Sequence, residues 1–152
     1  MTFGRQGIAR MAAVLFLGGA LVGSTPAFAA AATISVTPTT GLNDGQAVSV
    51  TGNGYPAGDT VAAVQCNTPV DPAQISCNFV DNAQAVAGAD GGFSVSLTVR
   101  AQFDGFSPVT GKPAGHVDCT VAPGCGAAAG SLTTPEVFAG PVPIAFGPAP
   151  LR

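Results

Sequence analysis

The residues of this chain best suited to chemistry are four cysteines and a single histidine. The cysteines fall as two short pairs, Cys66/Cys77 and Cys119/Cys125, in a chain without tryptophan. Two chemistries compete for them. Structural zinc would want a tight C-x-x-C spacing and histidine partners, and here the spacings are wider and His116 stands alone. Disulfide formation needs only an oxidising compartment. Four cysteines then allow three connectivities, and the residues by themselves do not choose. Pairing each cysteine with its neighbour spans 11 and 6 residues. Each such bridge is worth about 2–3 kcal/mol on the chain-entropy model.

Acid–base chemistry has less to work with. His116 and Asp118 are two apart in a strand-like run and so share a face. No G-x-S-x-G or other activated nucleophile accompanies them, so His116 reads as a surface strand residue. Asp44, Asp59 and Asp90 each adjoin a glycine, and turn chemistry accounts for them. The glycines are dispersed and form no phosphate loop. The chain is therefore read as a non-enzyme that holds no metal.

The oxidising compartment is supplied by the start of the chain. Arg5 and Arg10 precede an apolar run from Met11 to Val22, which is short for a bilayer span, and Ala27-Phe28-Ala29 is a small-residue cleavage pattern. Residues 1–29 are thus expected to be a secretory signal peptide, with cleavage as late as residue 32, and the mature protein to be secreted. Residues 30–147 would form one domain, and 148–152 a short tail. The mature chain keeps three basic and eight acidic residues, a formal −5 with His116 neutral. Such a surface repels phosphate, which argues against direct DNA binding. No later apolar run suggests a membrane partner, and a monomer is expected.

The elements that would carry the cysteines are short strands. Ile34–Thr37, Ala47–Thr51, Val61–Cys66, Val117–Val121 and Val142–Phe146 read as strands between turns such as Asn43-Asp44-Gly45 and Pro56-Ala57-Gly58-Asp59. The clearest is Phe93–Arg100, with Phe93, Val95, Leu97 and Val99 on one face and Ser94, Ser96, Thr98 and Arg100 on the other. About seven strands without helical periodicity predict an all-β sandwich. An inter-sheet bridge of the antibody kind would come with a buried tryptophan, which is missing, so local cysteine pairing is preferred. Phe93 and Phe146 fall in strand patterns and are assigned to the core. Phe79, Phe103, Phe106 and Phe138 fall in loop-like sequence, where they either plug the core edge or line a pocket.

Several segments together resemble the neocarzinostatin family. They are Ile34 to Gly45, Val64-Gln65-Cys66, Ser76-Cys77-Asn78, Leu97 to Arg100, Phe103-Asp104-Gly105-Phe106, Gly115 to Thr120 and Ile144 to Gly147. The resemblance implies a seven-stranded immunoglobulin-like β-sandwich with two local disulfides, Cys66–Cys77 and Cys119–Cys125. It also implies a carrier that binds, protects and releases a small hydrophobic chromophore of the enediyne type, held non-covalently. DNA would be damaged only indirectly, by the released chromophore.

Carried over by position, the resemblance implies a cleft floored by Cys66 and Cys77. It would lie between their hairpin, the Phe103–Phe106 segment and the residues after Cys125, lined by Val61, Val64, Gln65, Ile75, Phe79, Phe106 and Gly126. At four positions the type member's cleft residues are exchanged. Thr68 stands for a tryptophan, Asn82 for a phenylalanine, Pro108 for an aromatic residue and Gly126 for a polar one. Those exchanges motivate an alternative, a ligand-free secreted relative with a structural or adhesion role.

Overall fold

The computed structural model describes residues 31–148. The expected signal peptide through Ala29, and all of the tail beyond Pro148, lie outside the described residues. Nine strands follow in order: β1 (Thr33–Thr37), β2 (Gln46–Asn53), β3 (Thr60–Asn67), β4 (Cys77–Val86), β5 (Phe93–Val99), β6 (Gln102–Phe106), β7 (Pro113–Asp118), β8 (Cys125–Ser131) and β9 (Phe138–Ile144). A single 3-10 turn, Pro72–Gln74, interrupts the β3–β4 connection, with the Asp71 side chain accepting from the Ala73 N–H.

One sheet has the order β1-β2-β5 and the other β7-β6-β4-β3-β8-β9, and all the strand pairings are antiparallel. The larger sheet has a natural division. β6 meets β4 through one residue pair, Cys77 opposite Phe106, whereas β6 and β7 pair along their length. The β6–β7 hairpin is therefore a ribbon appended to a sandwich of seven strands, three against four. The expected β-sandwich is present.

Alternation builds the interior where it was legible. In β5, Phe93, Leu97 and Val99 are buried while Ser94 and Ser96 are exposed; in β2, Val48 and Val50 are buried. Three strands lacked that signal. β8 reads Cys-Gly-Ala-Ala-Ala-Gly-Ser and is buried on most of its length, because it runs between β3 and β9. β4 carries Asn, Asp and Gln, and it departs from regular pairing between Ala63 and Gln65 of its partner. β6 is short. Consequently Phe79, Phe103, Phe106 and Phe138, read as loop residues, all belong to strands. The run Val117–Val121 is likewise revised: β7 ends at Asp118, and the chain turns at Thr120.

Two polar side chains join the sheets. The Tyr55 hydroxyl donates to the Ala129 carbonyl at 3.0 Å, and its ring packs edge-on against Phe93 with centroids 5.1 Å apart. Gln65 is fully buried. Its Nε2 donates to the Arg100 carbonyl at 2.7 Å and lies 3.1 Å from Cys119 Sγ, while its Oε1 accepts from the Arg100 N–H at 2.8 Å. An apolar core that closes over an amide requires this kind of full satisfaction.

Candidate ligand-binding face

Both disulfides have the local pairing, Cys66–Cys77 and Cys119–Cys125. Cys66 and Cys77 are direct partners across β3 and β4. Cys119 and Cys125 join the end of β7 to the start of β8 and pack within the hydrophobic core. The second bridge is thus part of the interior rather than only a loop staple.

The pleat of β3 sorts the anticipated cleft residues. Val61, Ala63 and Gln65 point into the sandwich and are 0 to 1% exposed, whereas Ala62 and Val64 on the opposite face are only partly covered. Register carries that outer face across the sheet. Val64 lies opposite Ala128, Cys66 opposite Gly126, and Ala62 opposite Gly130. Beyond them β9 adds Phe138, Pro141 and Pro143, all exposed. On the other flank, alternation from Cys77 puts Phe79 on the same face, 38% exposed. The outer face of β3, β8 and β9 is therefore largely apolar, with small side chains at its centre and phenylalanines toward its flanks, while β4 sets the exposed Gln84 opposite Ala62.

Of the residues singled out from sequence, Val64, Cys66, Cys77 and Phe79 share this face, and Gly126 lies on it in register but is covered by Pro141 of β9. Ile75 is half-buried immediately before the Ser76-Cys77 step. Val61 and Gln65 do not reach the face: they belong to the core, because adjacent positions on a strand cannot face the same side. Phe106 lies beside Cys77 but lines a neighbouring polar cavity of about 570 Å³, together with Phe103, Asn78, Asp81, Arg100 and Asp104. Sequence reading missed Ala62, Ala128 and Gly130. Their signal was negative, a strand of small residues where bulky ones would fill the face.

The four exchanged positions have local roles. Thr68 donates its hydroxyl to the Pro123 carbonyl at 2.9 Å and its N–H to the Gly124 carbonyl, joining the two disulfide loops. The Asn82 amide donates to the Phe79 carbonyl and closes the β4 irregularity. Pro108 lies in the exposed turn at the ribbon tip. Gly126 has no room for a side chain, since a Cβ there would sit 2.8 Å from the Pro141 Cβ and 2.9 Å from the Val142 carbonyl oxygen. β9 thus crosses where the polar residue would stand.

Charge lies to one side of the face. Arg100 holds Asp81 through Nε–Oδ2 at 3.0 Å and Nη2–Oδ1 at 3.3 Å, and the Asn78 amide donates to the same carboxylate. Those hydrogen bonds, Arg100 first, hold the Asp81 carboxyl below its usual range. His116 is an exposed ribbon residue, as anticipated, but its Nδ1 lies 3.1 Å from Asp104 Oδ1 across the ribbon rather than against Asp118. Asp118 instead accepts from the Thr120 N–H and hydroxyl, closing the turn.

Fold and face together define a small disulfide-stapled β-sandwich that presents an apolar sheet surface. The chain belongs to the neocarzinostatin family, whose model matches residues 34–146. It is 41% identical over 119 residues to the antitumor antibiotic C-1027 apoprotein of Streptomyces globisporus, covering 78% of this chain and 80% of that protein. It is 42% identical over 107 residues to actinoxanthin from the same organism, covering 70% and 72%. Among solved structures it resembles macromomycin, with a TM-score of 0.66 and 33% identity, over 76% of this chain and 99% of that one.

Proposed function

We propose that this protein is a secreted carrier apoprotein that holds a small hydrophobic chromophore of the enediyne type non-covalently, shields it and releases it. The observation that carries this reading is the outer face of β3 and β8, where the apolar Ala62, Val64 and Ala128 are only partly covered, in a member of a family whose relatives include an antibiotic apoprotein. The residues present fit such a group. Val64 and the Cys66–Cys77 bridge would form the floor, Ala62 and Ala128 leave room for a rigid apolar body, and Ile75 and Phe79 would border it. With the exchanged positions, contact area replaces much of the aromatic stacking. The bound group supplies the DNA-cleaving diradical chemistry. The protein excludes water from it and keeps an acidic surface away from phosphate, so DNA is met only by the released ligand. A monomer suffices, since the face lies within one chain.

Native mass spectrometry of protein isolated gently from its producing organism is the test. A non-covalent adduct that organic extraction removes is expected. Val64→Arg places a charge in the middle of the face and should lower ligand retention about tenfold or more while leaving the fold intact. Recovery of bare protein alone, or retention unchanged by Val64→Arg, would overturn the reading.

A further inference from the structure

In the larger sheet, Thr60 opposite Val86, Val61 opposite Ser131 and Gly130 opposite Phe138 mark one end, while Cys66 opposite Cys77 and Cys125 opposite Ile144 mark the other. At the first of these ends lies a cavity of about 880 Å³. Ala31, Ala32, Pro56, Val137 and Phe138 give it apolar walls. Ala32 and Val137 also pack against the core, so the approach to β1 and the approach to β9 are both anchored here. Tyr55, Asp90 and Glu136 are the titratable groups that line the cavity. The Tyr55 hydroxyl is committed to the Ala129 carbonyl, and Asp90 Oδ1 accepts the Gly92 N–H at 3.0 Å. The ion pairs among the described residues are Arg100–Asp81 and His116–Asp104, so neither Asp90 nor Glu136 has a cationic partner there.

Two carboxylates lining one apolar-walled cavity attract a cation. The chain has few to offer. Arg100 follows β5 at the far end from Phe93, and Lys112 lies in the ribbon turn. A further cation arises by processing. Cleavage after Ala29 frees an α-ammonium on Ala30, one residue before Ala31 in the cavity wall. One residue spans at most about 3.6 Å, so that ammonium starts beside the cavity. Alanine at positions 30, 31 and 32 adds no bulk that would hold it out. We infer that the α-ammonium of Ala30 docks in this cavity and pairs with Glu136 and Asp90, so that removal of the leader completes this end of the fold. In the precursor the same nitrogen is an uncharged amide and cannot pair. The inference rests on the reading of residues 1–29 as a removable leader, and not on a bound chromophore. Linear motifs could not reveal it, because both carboxylates lie far along the chain from Ala30.

Protein secreted through its own leader is the material for the test, and N-terminal sequencing should read Ala30 first. Its α-amine can be followed by NMR against pH after isotopic methylation, which keeps the charge. The amine should titrate higher than in Asp90→Asn/Glu136→Gln, by about half a pH unit or more, because opposite charges favour the protonated form. Both exchanges keep side-chain shape, so the variant should fold like the parent. Asp71→Asn/Asp104→Asn removes the same charge from exposed sites elsewhere and should leave the amine as it is in the parent. Inserting Gly-Ser ahead of Ala30 carries the ammonium away from the cavity. That amine should titrate as in the Asp90/Glu136 variant, and amide exchange at Ala32 should quicken. An amine that titrates alike in the parent and in Asp90→Asn/Glu136→Gln would overturn the inference. So would an equal drop in Asp71→Asn/Asp104→Asn, which would assign the effect to overall charge. A secreted chain that keeps its leader would overturn it together with the reading of export, whereas the titration outcomes overturn it alone.

Discussion

Gln65 illustrates how far a single residue can be misread. Its place beside Cys66 suggests a cleft contact, yet strand alternation turns it inward, where one amide satisfies both the N–H and the carbonyl of Arg100. Its role is to hold the end of β5 against β3. Gln65→Leu would keep the volume but leave both Arg100 backbone groups unpaired in a dry site. The expected loss is about 2–4 kcal/mol in a denaturant titration, the cost of two buried unsatisfied groups. A loss below about 0.5 kcal/mol would mean that water replaces the amide. Val64, one residue earlier, points the other way, so one step along the chain separates a core residue from one on the outer face.

Strands and staples differ in the same manner. The first disulfide joins β3 to β4 at the border of the apolar face, and the second sits among core residues between β7 and β8. Their loops are short and similar, so the chain-entropy term is about 2–3 kcal/mol for each. Packing distinguishes them. Replacing Cys66 and Cys77 by alanine should loosen the border first, with amide protection lost around residues 67–82 while β2 and β5 stay protected. Replacing Cys119 and Cys125 should also lower protection near Gln65 and Arg100, because it removes buried sulfur from the core. Hydrogen exchange on the two double variants checks this; uniform loss of protection in both would refute it.

At the scale of the whole molecule, acid should act through a few carboxylates. Asp59 is held below its usual range by the Ser131 and Thr134 hydroxyls, Asp81 by Arg100 and then Asn78, and Asp118 by the hydroxyl and N–H of Thr120. A carboxyl whose pKa is lower in the folded state stabilises the fold above its unfolded value and loses that contribution as pH falls through the folded one. The urea midpoint should therefore be flat from neutrality to about pH 4 and decline below it. Asp81→Asn should start lower at neutral pH, because it removes the Arg100 pair, and decline less in acid. An Asp81→Asn profile parallel to that of the parent would rule out this pair as a source of the acid response.

The sequence by itself determined that the chain is an all-β sandwich, which cysteines lie close enough along the chain to pair locally, and the family. Alternation in β2 and β5, turn residues between strands and linear motifs all act over a few neighbouring positions, so they are written locally. Only the tertiary structure decided which side of β3 faces outward, that the run of small residues after Cys125 is a central strand, and that Gly126 is dictated by the passage of β9. Those facts depend on strand register and on contacts between distant segments, and a strand whose neighbours demand small side chains carries no hydrophobic pattern of its own.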